Sequence, residues 1–284
     1  CPRSLLAYRL LLIAAALMAP PAWAQSTATT GGATGTAVDS WLKDLTVITG
    51  VTVSNDSNLF RSPILEQSET ITSAYLGLRL DKSLGQQQFL LDITKTANRY
   101  DKFSYLDFDG LNYNGAWNWR LGTQFSGKLS ASRSESLAPF EDTLGFGRNV
   151  RITENQAFDV DVWVTGGWYL QLGVGQSDQS SEQNGLSLSR TPDFKSTNAN
   201  IGVKYQTRAG NSISARRQST EGEYTNNPFG SPNTDYTEDL SELVADWKLS
   251  ATSTLTGRIG WLERDNKDPT RSDFSGPSSS LSYA

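Results

Sequence analysis

The chain has 284 residues, with 25 basic against 30 acidic side chains, no histidine and one cysteine, Cys1. A net charge of −5 argues against nucleic acid as a partner, because such contacts rest on clustered Lys and Arg. The lack of histidine removes Ser-His nucleophile activation, imidazole general-base chemistry and histidine metal sites.

At the amino end Arg3 and Arg9 precede an apolar run, "LLLIAAALMA" at 10–19, followed by Pro20, Pro21 and "AWA" ending at Ala24. This pattern predicts a secretory signal peptide over 1–24, cleaved between Ala24 and Gln25. A membrane anchor needs about 20 apolar residues, and this run is half that. Cys1 lies within the removed segment, so the mature chain is expected to hold no disulfide. A lipoprotein needs a cysteine where Gln25 stands. Removing Arg3 and Arg9 leaves 23 basic against 30 acidic residues, a net charge of −7. Position 1 is not methionine, so the reading frame is expected to begin upstream. "QSTATTGGATGTAVDS" is small and polar, and residues 25–43 are expected to form a flexible periplasmic leader. The remainder, 44–284, reads as one folded domain.

From Leu45 onward apolar residues recur at every second position, which predicts strands. The runs begin with Leu45, Val47, Val51 and Val53; then Ala74 to Leu80; Phe89 to Ile93; Leu111, Tyr113, Trp117 and Trp119; and Phe125, Leu129 and Ala131. They continue with Phe158 to Val164, Trp168 to Val174, Ala199 to Tyr205, Ile213 and Ala215, Leu243 to Trp247, and Leu255 to Trp261. A twelfth strand starts near Ser275. Short connections (81–86, 120–123, 165–167, 207–211, 250–253) alternate with long polar ones (55–68, 134–148, 176–193, 218–238, 263–274). Short turns therefore share one end of the sheet and long loops the other. Trp119, Trp163, Tyr205 and Trp247 recur at spacings of 44, 42 and 42 residues. A propeller blade of that length holds four strands; each period here holds two, which favours an up-and-down array.

Alternation alone also fits a soluble sandwich, whose apolar face meets a second layer. The opposite face is more informative. On one register it carries Arg79, Asp92, Asn118, Arg120, Lys128, Asp159, Asp161, Lys204, Arg216, Glu242, Asp246, Lys248 and Arg258. In a bilayer-spanning barrel the apolar side faces lipid and the polar side lines a wet lumen. Ten residues at about 3.3 Å each, tilted by about 40°, span roughly 25 Å. Trp119, Trp168, Tyr205 and Trp247 lie beside the short turns on the apolar side, where an aromatic girdle is expected. Trp163 falls on the polar side. The expected fold is a transmembrane antiparallel up-and-down β-barrel of at least twelve strands. Because "SGPSSSLSYA" begins like a strand and stops at the non-aromatic Ala284, the barrel is expected to be incomplete at the C-terminus.

In the first long loop, "NDSNLFRSP", Asp56 or Asn58 is expected to close an Asx turn. Leu59 and Phe60 would pack on neighbouring loops, and Arg61 would pair with a loop carboxylate. The alternative places Arg61 at a pore mouth, selecting what passes. "VSNDSNLFR" resembles the opening strand of outer-membrane β-barrel porins of Gram-negative bacteria, and the chain is most similar to the EpsL family of exosortase-associated exopolysaccharide clusters. The stretches at 98–122 and 246–266 are similar to that family too. The resemblance implies an outer-membrane location and a role in exopolysaccharide biosynthesis and export. Its implied partners are outer-membrane lipid, lipopolysaccharide, the exopolysaccharide and periplasmic export components.

Three functions follow as expectations. A conduit for glycan needs many weak donors and acceptors, which Asn, Gln and Ser on the inward face supply; a general or solute-specific porin has the same composition. An enzyme could use Asp107 with Asp109, or Asp159 with Asp161, as a carboxylate pair for glycoside cleavage. Carboxylates on a wet strand usually pair with cations, and Arg120, Lys128, Lys204 and Arg216 are available. No catalytic residue, cofactor or metal ligand is assigned. A surface scaffold or adhesion barrel would instead use its loops, such as the acidic Glu221, Glu223, Asp235, Glu238 and Asp239, with divalent ions.

Overall fold

The computed structural model describes residues 44–64, 66–140, 147–183, 192–226, 233–250 and 252–284. The expected signal peptide and leader, 1–43, lie outside them. Twelve strands follow one another: β1 Leu45–Asp56, β2 Glu69–Leu84, β3 Gln87–Tyr100, β4 Phe108–Leu121, β5 Phe125–Leu137, β6 Asn149–Thr165, β7 Trp168–Gln183, β8 Asp193–Gln206, β9 Ser212–Thr225, β10 Tyr236–Lys248, β11 Thr254–Asn266 and β12 Phe274–Tyr283. A 3-10 turn, Ser104–Leu106, lies between β3 and β4.

Every strand pairs antiparallel with the next in chain order, which gives one twelve-stranded up-and-down sheet. Among the described residues β1 and β12 are each paired on one side only, so the sheet is open. Pro277, opposite Trp261 in β12, has no N–H to donate and suits an edge position. No second sheet lies among the described residues, which removes the sandwich expectation there.

Short and long connections alternate as the sequence predicts. Of the two two-residue turns, the one between β6 and β7 uses Gly166 at φ 53° and Gly167 at φ 93°; paired positive φ values make the hairpin turn whose twist matches the strands. The strands are longer than their apolar alternation. β7 continues to Gln183 and β9 to Thr225, through stretches predicted as loop. Beyond Val174 the former apolar positions carry Gln176, Asp178, Ser180 and Glu182, yet backbone pairing persists through Gln176↔Thr197 and Asp178↔Lys195. Alternation marks where one face is dry; hydrogen bonding alone carries the strand further.

Opposed residues in an antiparallel pair share a face, so the register fixes both faces. Leu45↔Leu80, Val47↔Leu78 and Val51↔Ala74 start the apolar face. It passes through Leu80↔Leu91, Phe89↔Trp117, Leu129↔Phe158, Val160↔Leu172 and Leu172↔Ile201. Val203↔Ala215, Leu243↔Ala215 and Leu243↔Ile259 carry it to β11. Every predicted run lies on this face, and the face is bare: Val47 and Ile259 are both 62 % exposed.

Candidate functional site on the polar face

The other face gathers the polar residues. One row crosses seven strands without interruption: Arg120↔Ser126, Ser126↔Asp161, Asp161↔Gln171, Gln171↔Gly202, Gly202↔Arg216 and Arg216↔Glu242. Lys128↔Asp159 lies in the next row. Lys204↔Ser214, Ser214↔Val244 and Val244↔Arg258 form another, and Asp246 and Lys248 continue along β10. Arg79↔Asp92 and Asp92↔Asn114 lie on this face over β2–β4. All thirteen predicted polar-face residues therefore share it, Asn118 opposite Lys128 among them. So does Trp163, opposite Tyr169, immediately before a register shift at Thr165.

Several of them converge. A cavity of about 810 Å³ is lined by Asn118, Arg120, Lys128, Asp159, Asp161, Asn200 and Arg216, together with Gln87 and Gln88 beside the β2–β3 turn. Arg79 and Asp92 pair with each other at 2.7 Å. Asp246 accepts from Thr256 Oγ1 at 2.8 Å and Ser212 Oγ at 3.2 Å. Asp161 pairs with Lys204 across β7 and accepts from Gln171 Nε2 at 2.9 Å; Arg216 pairs with Glu242. Arg120 and Lys128, predicted as partners of the carboxylates, make no ion pair among the described residues; the Arg120 carbonyl accepts from Gln87 Nε2 at 3.0 Å, and Lys128 stands opposite Asp159. Asp107 accepts from the Tyr100 N–H at 2.8 Å, and Asp109 pairs with Arg99 at 2.8 Å.

The burial pattern on the inner strands is inverted relative to a water-soluble sheet. In β10 the charged Glu242 is 9 % exposed while the adjacent Leu243 is 47 % exposed. Along β9 the apolar-face parity positions Ile213, Ala215 and Arg217 are exposed, and the polar-face Ser214, Arg216 and Gln218 are half-buried. The predicted girdle lies at the turn end of the bare face: Trp168 opposes Tyr205 with ring centroids 5.0 Å apart, Trp119 stacks on Phe158 at 6.1 Å, and Trp247 is exposed.

At the loop end the "NDSNLFR" motif is fully engaged. The Asn58 N–H donates to Asp56 Oδ1 at 3.0 Å, making the Asx turn. Arg61, at φ 52°, grips both Asp56 oxygens, at 2.9 and 2.8 Å. Leu59 and Phe60 are buried with Tyr100, Leu106, Phe108 and Val150. Phe60 meets Phe103 and Phe140 edge-on, each at 4.8 Å, so residues from the β1–β2, β3–β4 and β5–β6 connections share one core. Sequence reading missed its organiser. Glu69 is 0 % exposed, and it accepts N–H groups of Thr70 at 2.7 Å, Phe103 at 2.8 Å and Lys102 at 3.1 Å. Burial alone would raise its pKa; these N–H groups, with that of Asp101, outweigh it and hold the carboxyl below its ordinary value. The only sequence signal was an acid just after the first long polar connection, 55–68.

The acidic stretch after 218 is neutralised by neighbouring strands: Glu221 by Lys267 at 2.9 Å, Asp239 by Arg217 at 3.1 Å and Glu238 by Arg264. Among the described residues no group of three or more acidic, cysteine or histidine side chains could hold a metal ion. A second unpredicted cluster, Phe194, Tyr224 and Tyr236 with Arg264, lies at the loop end of the polar face. Carrying the parity of Lys204 and Arg216 further along their strands would have found it. Neither a known protein-family model nor a curated protein matches the chain.

Proposed function

We propose that the chain is an outer-membrane β-barrel protein of a Gram-negative bacterium, in which the apolar face meets lipid and the polar face lines a hydrated passage for exopolysaccharide. The observation that carries this is the inverted burial: a carboxylate turned inward beside a leucine left bare. Water penalises an apolar face of this extent, whereas hydrocarbon favours it. The no-histidine composition, and the engagement of Asp107 by the Tyr100 N–H, Asp109 by Arg99 and Asp161 by Lys204, support a passage over a catalyst. Trp168, Tyr205 and Trp247 would meet the periplasmic headgroups, and Lys95, exposed between the positions of Leu76 and Leu111 on the bare face, would extend to lipopolysaccharide phosphates. In lipid no sheet edge may stay unpaired, so this reading requires hydrogen-bonding partners for the free sides of β1 and β12. The glycan rests on the resemblance to the EpsL family and on the amides and hydroxyls of the polar face.

Planar-bilayer recording of the refolded protein tests it. Stable conductance steps that fall when the polysaccharide is added support the passage. No conductance, with heat-modifiable gel migration intact, replaces it by a plugged or scaffold barrel. Folding as a compact monomer in detergent-free buffer overturns the membrane reading altogether.

A further inference from the structure

We infer that the loop end of the polar face, over β8–β11, is a stacking site for the hexose rings of a neutral glycan, built by Phe194, Tyr224, Tyr236 and Arg264. This deepens the passage reading and rests on it only in needing a wet, reachable polar face.

The register places all four on that face. Phe194 opposes Tyr224, and Tyr236 opposes Gly222, two residues along β9 from Tyr224. Gly222 is what lets the tyrosine lie flat: a Cβ there would come within 2.5 Å of the ring. Phe194 lies 4.7 Å from Tyr224 and 6.4 Å from Tyr236, nearly parallel to the latter at 16°. The Arg264 guanidinium carbon stands 4.2 Å from the Tyr236 ring centroid, and Glu238 holds Nε at 2.8 Å. The result is a run of three rings and one guanidinium crossing four strands, with Arg264 lying over the Tyr236 ring so that the guanidinium continues the surface there.

Two contrasts decide what it fits. In the core around Phe60 the central rings are buried; here all three rings and the arginine are only half-buried, so the surfaces remain reachable. The single cation is balanced by Glu238, so the site lacks the surplus positive charge that an anionic chain or a phosphate requires. Around it on the same face stand Ser196, Asn198, Gln218 and Thr220, which both donate and accept. A hexose presents C–H groups on its ring faces and hydroxyls at its rim. Flat π surfaces bordered by uncharged amides and hydroxyls match both.

Calorimetric titration of the detergent-refolded chain with maltohexaose and cellohexaose tests the site without requiring a pore. Saturable binding to at least one is expected. Phe194→Ala and Tyr236→Ala should each weaken it about 3- to 10-fold, the size of one lost aromatic contact. Tyr236→Phe should retain binding, and Trp247→Ala, on the opposite face, should not change it. Tyr236→Phe keeps the test valid if the alanine variants misfold, which loss of heat-modifiable migration reports. No saturable binding to either sugar, or equal affinity in folded alanine variants, overturns the inference. Binding without bilayer conductance supports the site and overturns the passage. Conductance without binding does the reverse.

Discussion

The molecule holds two apolar populations of the same residue types in opposite states. At the loop end Leu106 is 0 % exposed, packed with Leu59, Phe60, Tyr100 and Phe108; on the sheet face Val47, Ile259 and their neighbours have no cover. The loop residues make a conventional core because connections can fold back on one another. The sheet residues cannot, since a single layer has nothing to offer its own outer face. The contrast locates the boundary between the part of the chain stabilised by its own packing and the part that depends on its surroundings.

The sharpest way to separate the populations is to damage each. Leu106→Ala should cost about 2–5 kcal/mol of local stability, as other buried leucines do. Hydrogen exchange at the Leu59 amide, which donates to Gln67 O at 2.9 Å, should read it equally in detergent and in vesicles. Leu172→Arg puts a cation on the bare face between Val160 and Ile201. Urea titration in vesicles should show a loss of about 2–4 kcal/mol, the cost of a cation near the bilayer midplane. If that face met water instead, the loss would stay within about 0.5 kcal/mol.

The sheet was legible and the loop core was not, for a physical reason. A strand with one dry face leaves period-two alternation in the sequence, so Trp168 to Val174 and Ala199 to Tyr205 announce both strand and face. The same alternation fixed the parity of Asp161, Lys204 and Arg216. It stops where both faces are wet, which is why β7 and β9 outran their predicted ends, why Tyr224 and Tyr236 were hidden in apparent loop and why Phe194 lay ahead of the run from Ala199. Leu59 and Phe60 could be read as packing residues, but their partners Phe103, Leu106 and Phe140 come from other loops with no periodic relation to them. Glu69 was invisible because its donors are backbone groups, which any sequence supplies.

Glu69 couples the loop core to pH. Its carboxyl is held below its ordinary value by backbone N–H groups, so the charged form stabilises the fold. That contribution is complete above the unfolded-state pKa and is lost as pH falls through the folded-state value. Acidification below the usual glutamate range should therefore speed exchange at the Lys102 and Phe103 amides while leaving β8–β10 amides protected. Glu69→Gln should remove about 1–3 kcal/mol at neutral pH, since a carboxamide turns a donor toward N–H groups, and it should abolish the acid dependence.

The smallest effect belongs to Arg61, and it settles whether the motif is a contact or a selector. The guanidinium is half exposed and already bidentate on Asp56, so Arg61→Ala should cost only about 0.2–1 kcal/mol. Its charge is opposed by a carboxylate 2.8 Å away, leaving little net field for an ion at the mouth of a passage. Arg120 and Lys128 make no comparable ion pair among the described residues, although Lys128 stands opposite Asp159, and both line the cavity on the polar face. In a salt gradient across a planar bilayer, the reversal potential should be unchanged by Arg61→Ala and should move toward cation preference in Arg120→Ala and Lys128→Ala. A shift from Arg61→Ala as large as theirs would return the loop to the role of a filter.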